Sequence, residues 1–278
     1  MRSPSQAMLW LYGLLLATAI SRVCGHTDIH FMSVRKNVTR EYKSVREIPT
    51  TKYFHFNLIA TADVLNLLRY FNANLTNTEV IQYLSPLVQT YFKTMNAIGA
   101  ETWIMHGTLL AWWWNQKIFP WDSDLDVQVS EATIHFLADY YNVTEHHFDL
   151  PGVEGGRTYV LEVNPYYVVK SEKDTANKID ARWIDKSSGF FIDITAVYKD
   201  ENMRGNGHPG ALMCKDKHRY EESDLFPLRD SLFEGVPVKV PYAYTYILEE
   251  EYGANALSQT NFSGHNFNED TKIWEPET

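Results

Sequence analysis

HGTLLAWWWNQKIFPWDSDLDVQV, residues 106–129, joins a glycine turn, a tryptophan-rich apolar run and three alternating aspartates. In a strand, alternate side chains point to opposite faces. Leu125, Val127 and Val129 therefore share one face, and Asp124 and Asp126 share the other. Asp122 has the same parity but follows Pro120 and Trp121, on the turn into the strand. The apolar face anchors the segment in a core, and the acidic face needs a positive charge. Carboxylates at adjacent same-face positions lie within ~7 Å of each other, so a divalent cation between them would remove their repulsion. A solvated strand edge explains the alternation as well, but not the wall of Trp113, Trp114, Phe119 and Trp121 around it.

Two further segments bear on this acidic face. Phe190–Thr195 is apolar except for Asp193, which points away from Ile192 and Ile194. A lone acid in such a strand is costly unless it is paired or holds a metal. A salt bridge to Arg182 or Lys199 competes with the metal reading. Upstream, His106-Gly107-Thr108 sits where a short strand, Thr102–Met105, meets the helix Leu109–Trp114. Glycine lets a ligand approach the backbone, and the first amides of a helix favour an anion. An ordinary tight turn, with His106 a core histidine, is the other reading.

The rest of the chain frames this centre. With 45% hydrophobic and 14% aromatic residues among 278, a substantial core can form. The net charge of −10 argues against a nucleic-acid surface. Apolar residues at helical spacing predict helices over Ala62–Asn72, Thr78–Ala97, Ala132–Tyr141 and Tyr242–Tyr252, with Gly99 and Gly253 as stops. Strands are expected at Thr158–Val163, Tyr166–Lys170, Ile179–Ile184, Phe190–Tyr198 and, edge-like between prolines, Val236–Val240. Residues 199–217 read as a polar loop, and the tail beyond Ala256 as irregular. The alternation of elements implies a single α/β or α+β domain over 61–278.

Residues 1–25 have a charge-free apolar stretch, Ala7–Ile20, before Val23-Cys24-Gly25, which suits a cleaved signal peptide or a signal anchor. Residues 26–60 read as a stem or arm. Four sequons, at Asn37, Asn74, Asn142 and Asn261, agree with entry into the secretory pathway. The two cysteines are Cys24 and Cys214; if the signal is cut, Cys214 stands alone and is most simply a small buried residue.

HGTLLAWWWNQKIFPWDSDLDVQV, with NPYYVVK, NKIDARWIDKSSGFFIDIT and FPLRDSLFEGVPVKVPYAYTYILEEEYG, resembles the LicD family of nucleotidyltransferase-fold phosphotransferases, which includes fukutin and fukutin-related protein. The match covers roughly Thr102–Gly253, and the tryptophan-rich helix, DARWID and the GHNF…W tail resemble its fungal mannosylphosphorylation branch. The resemblance implies a mixed β-sheet flanked by helices. It implies Mg²⁺ or Mn²⁺ held by Asp124, Asp126 and Asp193, with GDP-mannose as donor and a glycoprotein glycan as acceptor. Substrate-binding positions would be His106, Gly107, Thr108, Trp121, Asp122 and Arg182, the last with an ion pair to Asp180 or Asp185 as its alternative. The implied setting is the Golgi lumen, membrane-anchored, or secretion, alongside other glycosyltransferases. A DxD glycosyltransferase and a non-catalytic regulator of a mannosylphosphate transferase are the alternative readings.

Overall fold

The computed structural model describes residues 77–174 and 177–277. The signal or anchor, the stem, the helix expected at Ala62–Asn72, Asn37, Asn74 and Cys24 lie outside them. Among the described residues, no helix is long and apolar enough to cross a membrane.

Helix α1 (Asn77–Ile98) buries Leu84, Leu87, Val88, Tyr91, Phe92, Met95 and Ile98, the face its spacing predicts. It ends at Gly99, whose φ of 72° suits a residue without Cβ. The Ala100 amide then reaches back to the Met95 carbonyl at 2.9 Å, closing the helix end. Strand β1 (Thr102–Ile104) follows, fully buried, and runs into α2 (His106–Asn115). Strand β2 (Asp126–Ser130) pairs antiparallel with β1. Ser130 caps α3 (Glu131–Tyr140) by accepting the Thr133 amide at 3.1 Å.

Strands β3 (Thr144–Phe148), β4 (Arg157–Val163), β5 (Ala181–Asp185) and β6 (Phe191–Lys199) complete the main sheet. Its order is β1-β2-β6-β5-β4-β3, antiparallel except for β2 beside β6. After a short helix, α4 (Glu201–Gly205), β7 (Ala211–Met213) pairs with the far end of β6, and β8 (Arg219–Glu221) pairs with β7. A one-turn helix, α5 (Glu222–Leu225), leads to the hairpin of β9 (Arg229–Phe233) and β10 (Val236–Val240). Glu234 and Gly235 both take positive φ there, as a two-residue hairpin turn requires. Helix α6 (Tyr244–Tyr252) and a three-stranded sheet of β11 (Asn261–Phe262), β12 (His265–Asn268) and β13 (Ile273–Pro276) end the chain. The result is the mixed sheet flanked by helices that the sequence implies.

The paired registers assign the two faces of the sheet. Val127, Ile194, Ile192 and Trp183 share one face. Trp183 meets α1 there, its indole donating to Thr90 Oγ1 at 3.2 Å. The opposite face carries Asp126, Asp193 and Arg182.

Three expectations are corrected. Tyr166–Lys170 forms consecutive turns, not a strand. The Asn164 side chain accepts the Tyr166 amide at 2.8 Å and so starts a turn that overrides the valine-rich β propensity. Residues 199–217 hold α4 and β7 rather than being all loop. The tail beyond Ala256 forms β11–β13, because Phe267 and Trp274 find an apolar platform on Trp114. Cys214 is buried and free, as expected.

A buried charge pair fixes the β6–β7 corner. Lys215 Nζ lies 2.7 Å from Asp180 Oδ1, both side chains wholly buried. Asp180 also accepts the Tyr198 hydroxyl at 2.9 Å and the Ala196 amide at 2.8 Å, and Lys215 donates to Asn177 Oδ1 at 3.0 Å. Burial nevertheless lifts the Asp180 carboxyl to about 6. Lys215→Met leaves that carboxylate without its cation and should cost about 3–5 kcal/mol, measured as a lower urea midpoint.

A second prediction concerns acid. Burial draws the His146 imidazole down to about 4. The unfolded chain takes up that proton near the ordinary value of about 6.5. Its contribution to stability is therefore complete above that value and is lost as pH falls towards 4. His146→Gln should flatten the pH dependence of the urea midpoint over this window.

Candidate functional site

The site begins with register. Asp126 stands directly opposite Asp193 across the parallel β2–β6 pair. Asp193 stands opposite Arg182 on β5, and Arg182 opposite Glu162 on β4. One face of four adjacent strands thus carries a charged row of three carboxylates and one guanidinium. Arg182 donates its Nε–H to Asp193 Oδ1 at 2.7 Å, and its guanidinium lies 4.1 Å from the centre of the Phe191 ring. Both readings of Asp193 are met in part: it shares a face with Asp126 and is also paired with an arginine. The ion-pair partners considered for Arg182 are engaged elsewhere, Asp180 with Lys215 and Asp185 with Arg157 at 3.3 Å.

The turn before β2 brings the other two aspartates. Asp122 is half-buried and takes the Ser123 amide on Oδ1 at 3.0 Å, and Asp124 is exposed. Burial, with the hydrogen bond and charge of Asp124, raises the Asp122 carboxyl to about 7. Burial also raises Asp126 to about 7; His106 opposes this, and Asp193, Asp124 and Glu251 add to it. Asp193 is raised by burial against the pull of Arg182. Burial first, and neighbouring acids second, work against the charge of these carboxyls, and a cation would relieve both. Their donor set, all carboxylate oxygen, fits a hard divalent cation.

The start of α2 lies against this acidic turn. A Cβ on Gly107 would meet Asp122 Oδ2 at 3.6 Å and the Tyr252 hydroxyl at 3.9 Å, so the bare glycine faces the acid. The Thr108 hydroxyl is turned inward and accepts the Asp126 amide at 2.9 Å, pinning the first residue of β2. Trp121 belongs to an aromatic cluster, stacked on Phe119 at 4.7 Å and edge-on to Trp274 at 5.0 Å. That cluster supports the acidic turn from the tail. Of the two described sequons, Asn142 is exposed and uses its Oδ1 to accept the Val163 amide at 2.9 Å. Asn261 is exposed and donates from Nδ2 to Asn266 Oδ1 at 2.8 Å.

His106 heads in another direction. Its φ of 54° lies in the left-handed region, a strained start for a helix. Its Nδ1 is 2.8 Å from Glu251 Oε1 at the end of α6. Burial would depress this imidazole, but the hydrogen bond and charge of Glu251, with Asp126 and Asp216, outweigh it and hold it above its usual range. His218 lies tilted beside it with ring centres 4.4 Å apart. Among the described residues, one ligand atom each from His106, His218 and Glu251 lie within 4.8 Å of one another, the group of three that could hold a metal ion. The three aspartates are looser than that. No sequence pattern marks His218, Asp216 or Glu251. The first two sit in a polar stretch, and Glu251 is the last of three glutamates on a helix. A cavity of about 540 Å³ opens beside them, bordered by His218, Arg219, Tyr246 and Glu251.

Comparison with known proteins matches this frame. The family described as LicD/FKTN/FKRP, nucleotidyltransferase domain, matches residues 99–243, and the chain belongs to that family. Two Saccharomyces cerevisiae proteins are similar to it. Mannosyltransferase regulator 4 is 34% identical over 132 residues, which is 46% of this chain and 11% of that protein. Mannosyltransferase regulator 14 is 35% identical over 154 residues, 51% of this chain and 16% of that protein. The chain therefore spans a small part of the length of the relatives it matches.

The Thr108 bond yields a local prediction. Thr108→Val removes the acceptor for the Asp126 amide and should cost about 1–3 kcal/mol, whereas Thr108→Ser keeps the hydroxyl and should recover most of it. Urea denaturation of both variants measures the difference.

Proposed function

We propose that the chain is a metal-dependent phosphotransferase that moves mannose phosphate from GDP-mannose to a hydroxyl of a glycoprotein glycan. The observation that carries this reading is the register of Asp126 opposite Asp193, within a chain of the nucleotidyltransferase-domain family. The names of the two yeast relatives, which refer to mannosyltransferases, support a mannose-linked role. A bound Mg²⁺ or Mn²⁺ would supply charge neutralisation for a pyrophosphate. Asp124, Asp126 and Asp193 are the residues that would hold it, with Asp122 beside them.

Asp193 is suited to be the base. Burial raises its affinity for a proton, and Arg182 fixes its orientation. In the proposed step the acceptor hydroxyl oxygen forms a bond to the mannose-bearing phosphorus. The bond from that phosphorus to the oxygen of GMP breaks, and the hydroxyl proton passes to Asp193. The amides at the start of α2, beside Gly107, would receive a donor phosphate. Trp121, on the entering turn, is the aromatic group nearest in sequence for contact with sugar or base. The setting we propose is the secretory pathway, in the Golgi lumen, in keeping with the signal-like N-terminus and the four sequons.

A second reading is a regulator that binds a nucleotide sugar or a transferase without turnover. The names of both relatives, as mannosyltransferase regulators, favour it. Asp124→Asn and Asp126→Asn, each assayed with GDP-mannose, Mn²⁺ and a mannan-type acceptor, separate the two. The transferase reading expects a phosphodiester product and a loss of at least about 100-fold in each variant. Undiminished transfer with the cation still bound would overturn the mechanism. Binding of GDP-mannose by the parent chain with no phosphodiester formed would select the regulator, and a glycosidic product would select a conventional glycosyltransferase.

A further inference from the structure

Beside the aspartates, four side chains from three elements close a ring. His106 opens α2, Asp216 and His218 sit on the turn from β7 to β8, and Glu251 ends α6. His106 Nδ1 is 2.8 Å from Glu251 Oε1, and its Nε2 is 3.6 Å from Asp216 Oδ2. His218 Nδ1 is 3.0 Å from the same Asp216 oxygen, and its Nε2 is 3.7 Å from the same Glu251 oxygen. The turn is fixed by its backbone: the Cys214 amide donates to the His218 carbonyl at 3.0 Å, and Lys217 takes a φ of 79°.

These separations have a chemical meaning. A tetrahedral zinc ion with bonds of 2.0–2.1 Å needs ligand atoms about 3.3–3.4 Å apart. One nitrogen of each ring can reach a single ion: His106 Nδ1 at 2.8 Å and His218 Nε2 at 3.7 Å from the same Glu251 oxygen lie on either side of that value, so small side-chain rotations would fit an ion. The donors are two imidazoles and carboxylates, the set that suits zinc-type ions rather than magnesium. Asp216 Oδ2 lies by the other nitrogen of each ring, 3.6 Å from His106 Nε2 and 3.0 Å from His218 Nδ1, where an outer carboxylate orients ligating imidazoles. Gathering two histidines and two acids from three elements, with one histidine in a left-handed backbone, has a cost that a bound ion would offset.

We infer that His106, His218 and Glu251 bind a divalent transition-metal ion of the zinc type, with Asp216 as the adjoining carboxylate. Its mixed nitrogen and oxygen donors differ from the all-carboxylate group at Asp122–Asp126 and Asp193, which it adjoins through Asp126. It ties the start of α2, the β7–β8 turn and the end of α6 into one clasp, and it borders the 540 Å³ cavity. The inference does not depend on the transfer reaction, and its readout is metal binding rather than turnover. The competing account is a metal-free network in which protonated imidazoles pair with the two carboxylates.

The test uses the full chain stripped with a chelator and titrated by calorimetry with Zn²⁺, then with Co²⁺ followed by visible absorption. The expected result is a tightest site of one equivalent, with Co²⁺ bands typical of mixed nitrogen and oxygen ligation. His218→Ala should weaken that site by at least about 100-fold, beyond the loss typical of an outer-shell change. Asp124→Asn should leave it essentially unchanged. His218 is partly exposed on a turn, so this variant is expected to fold, and circular dichroism checks it. Should it misfold, Glu251→Gln takes its place and the Co²⁺ spectrum of the parent chain still decides. The inference is overturned if the stripped chain takes up neither ion saturably, which leaves the protonated network. It is equally overturned if Asp124→Asn rather than His218→Ala removes the site, which moves the ion to the aspartates.

Discussion

The parallel pairing of β2 with β6 is the constraint on which the rest depends. It brings two strands that are far apart in sequence side by side, with Val127 beside Ile194 on the core face. The same hydrogen bonds set Asp126 beside Asp193 on the other face. Slipping either strand by one residue would turn its acid into the core and expose its aliphatic row. The apolar packing that stabilises the sheet therefore also holds the carboxylates together against their repulsion. Burial of β-branched and aromatic side chains supplies the driving force, and the acidic face is carried along with it.

The molecule manages the resulting negative charge in steps. Arg182 lies between Glu162 and Asp193 in the cross-strand row, so the acids are not left to one another. At the β6–β7 corner, Lys215 meets Asp180 in full burial and satisfies a carboxylate that the fold could not leave in solvent. The Asp122–Asp126 turn has the least compensation. There burial and mutual repulsion raise two carboxyls to about 7. Structural acids are paired, and the acids grouped at the turn keep their demand for a cation.

Much of this was legible in the sequence, because periodicity reports burial directly. Helices α1, α2, α3 and α6 and strands β2, β4 and β6 follow from apolar spacing, with Gly99 and Gly253 as stops. The pairing of Asp126 with Asp193 follows from parity once the two strands are neighbours. Properties set by long-range register were not legible. That Arg182 would face both Glu162 and Asp193 depends on strand offsets that turn lengths determine. The His106–His218–Glu251 group depends on a turn and two helix ends meeting in space, and no local pattern in KDKHRY or EEEY announces it. Tyr166–Lys170 misled because its valines suggested a strand, while the Asn164 side chain offered the backbone a closer acceptor.

The small sheet at the chain's end has a consequence for the opposite end of the domain. Trp274 packs against Trp114, Phe119 and Trp121, the residues that flank the turn bearing Asp122 and Asp124. A segment far along the chain is thus the buttress for a turn made long before it. Until β13 docks, the wall behind the acidic turn lacks the ring that Trp114, Phe119 and Trp121 share, so the final shape of the turn waits on residues translated well after it.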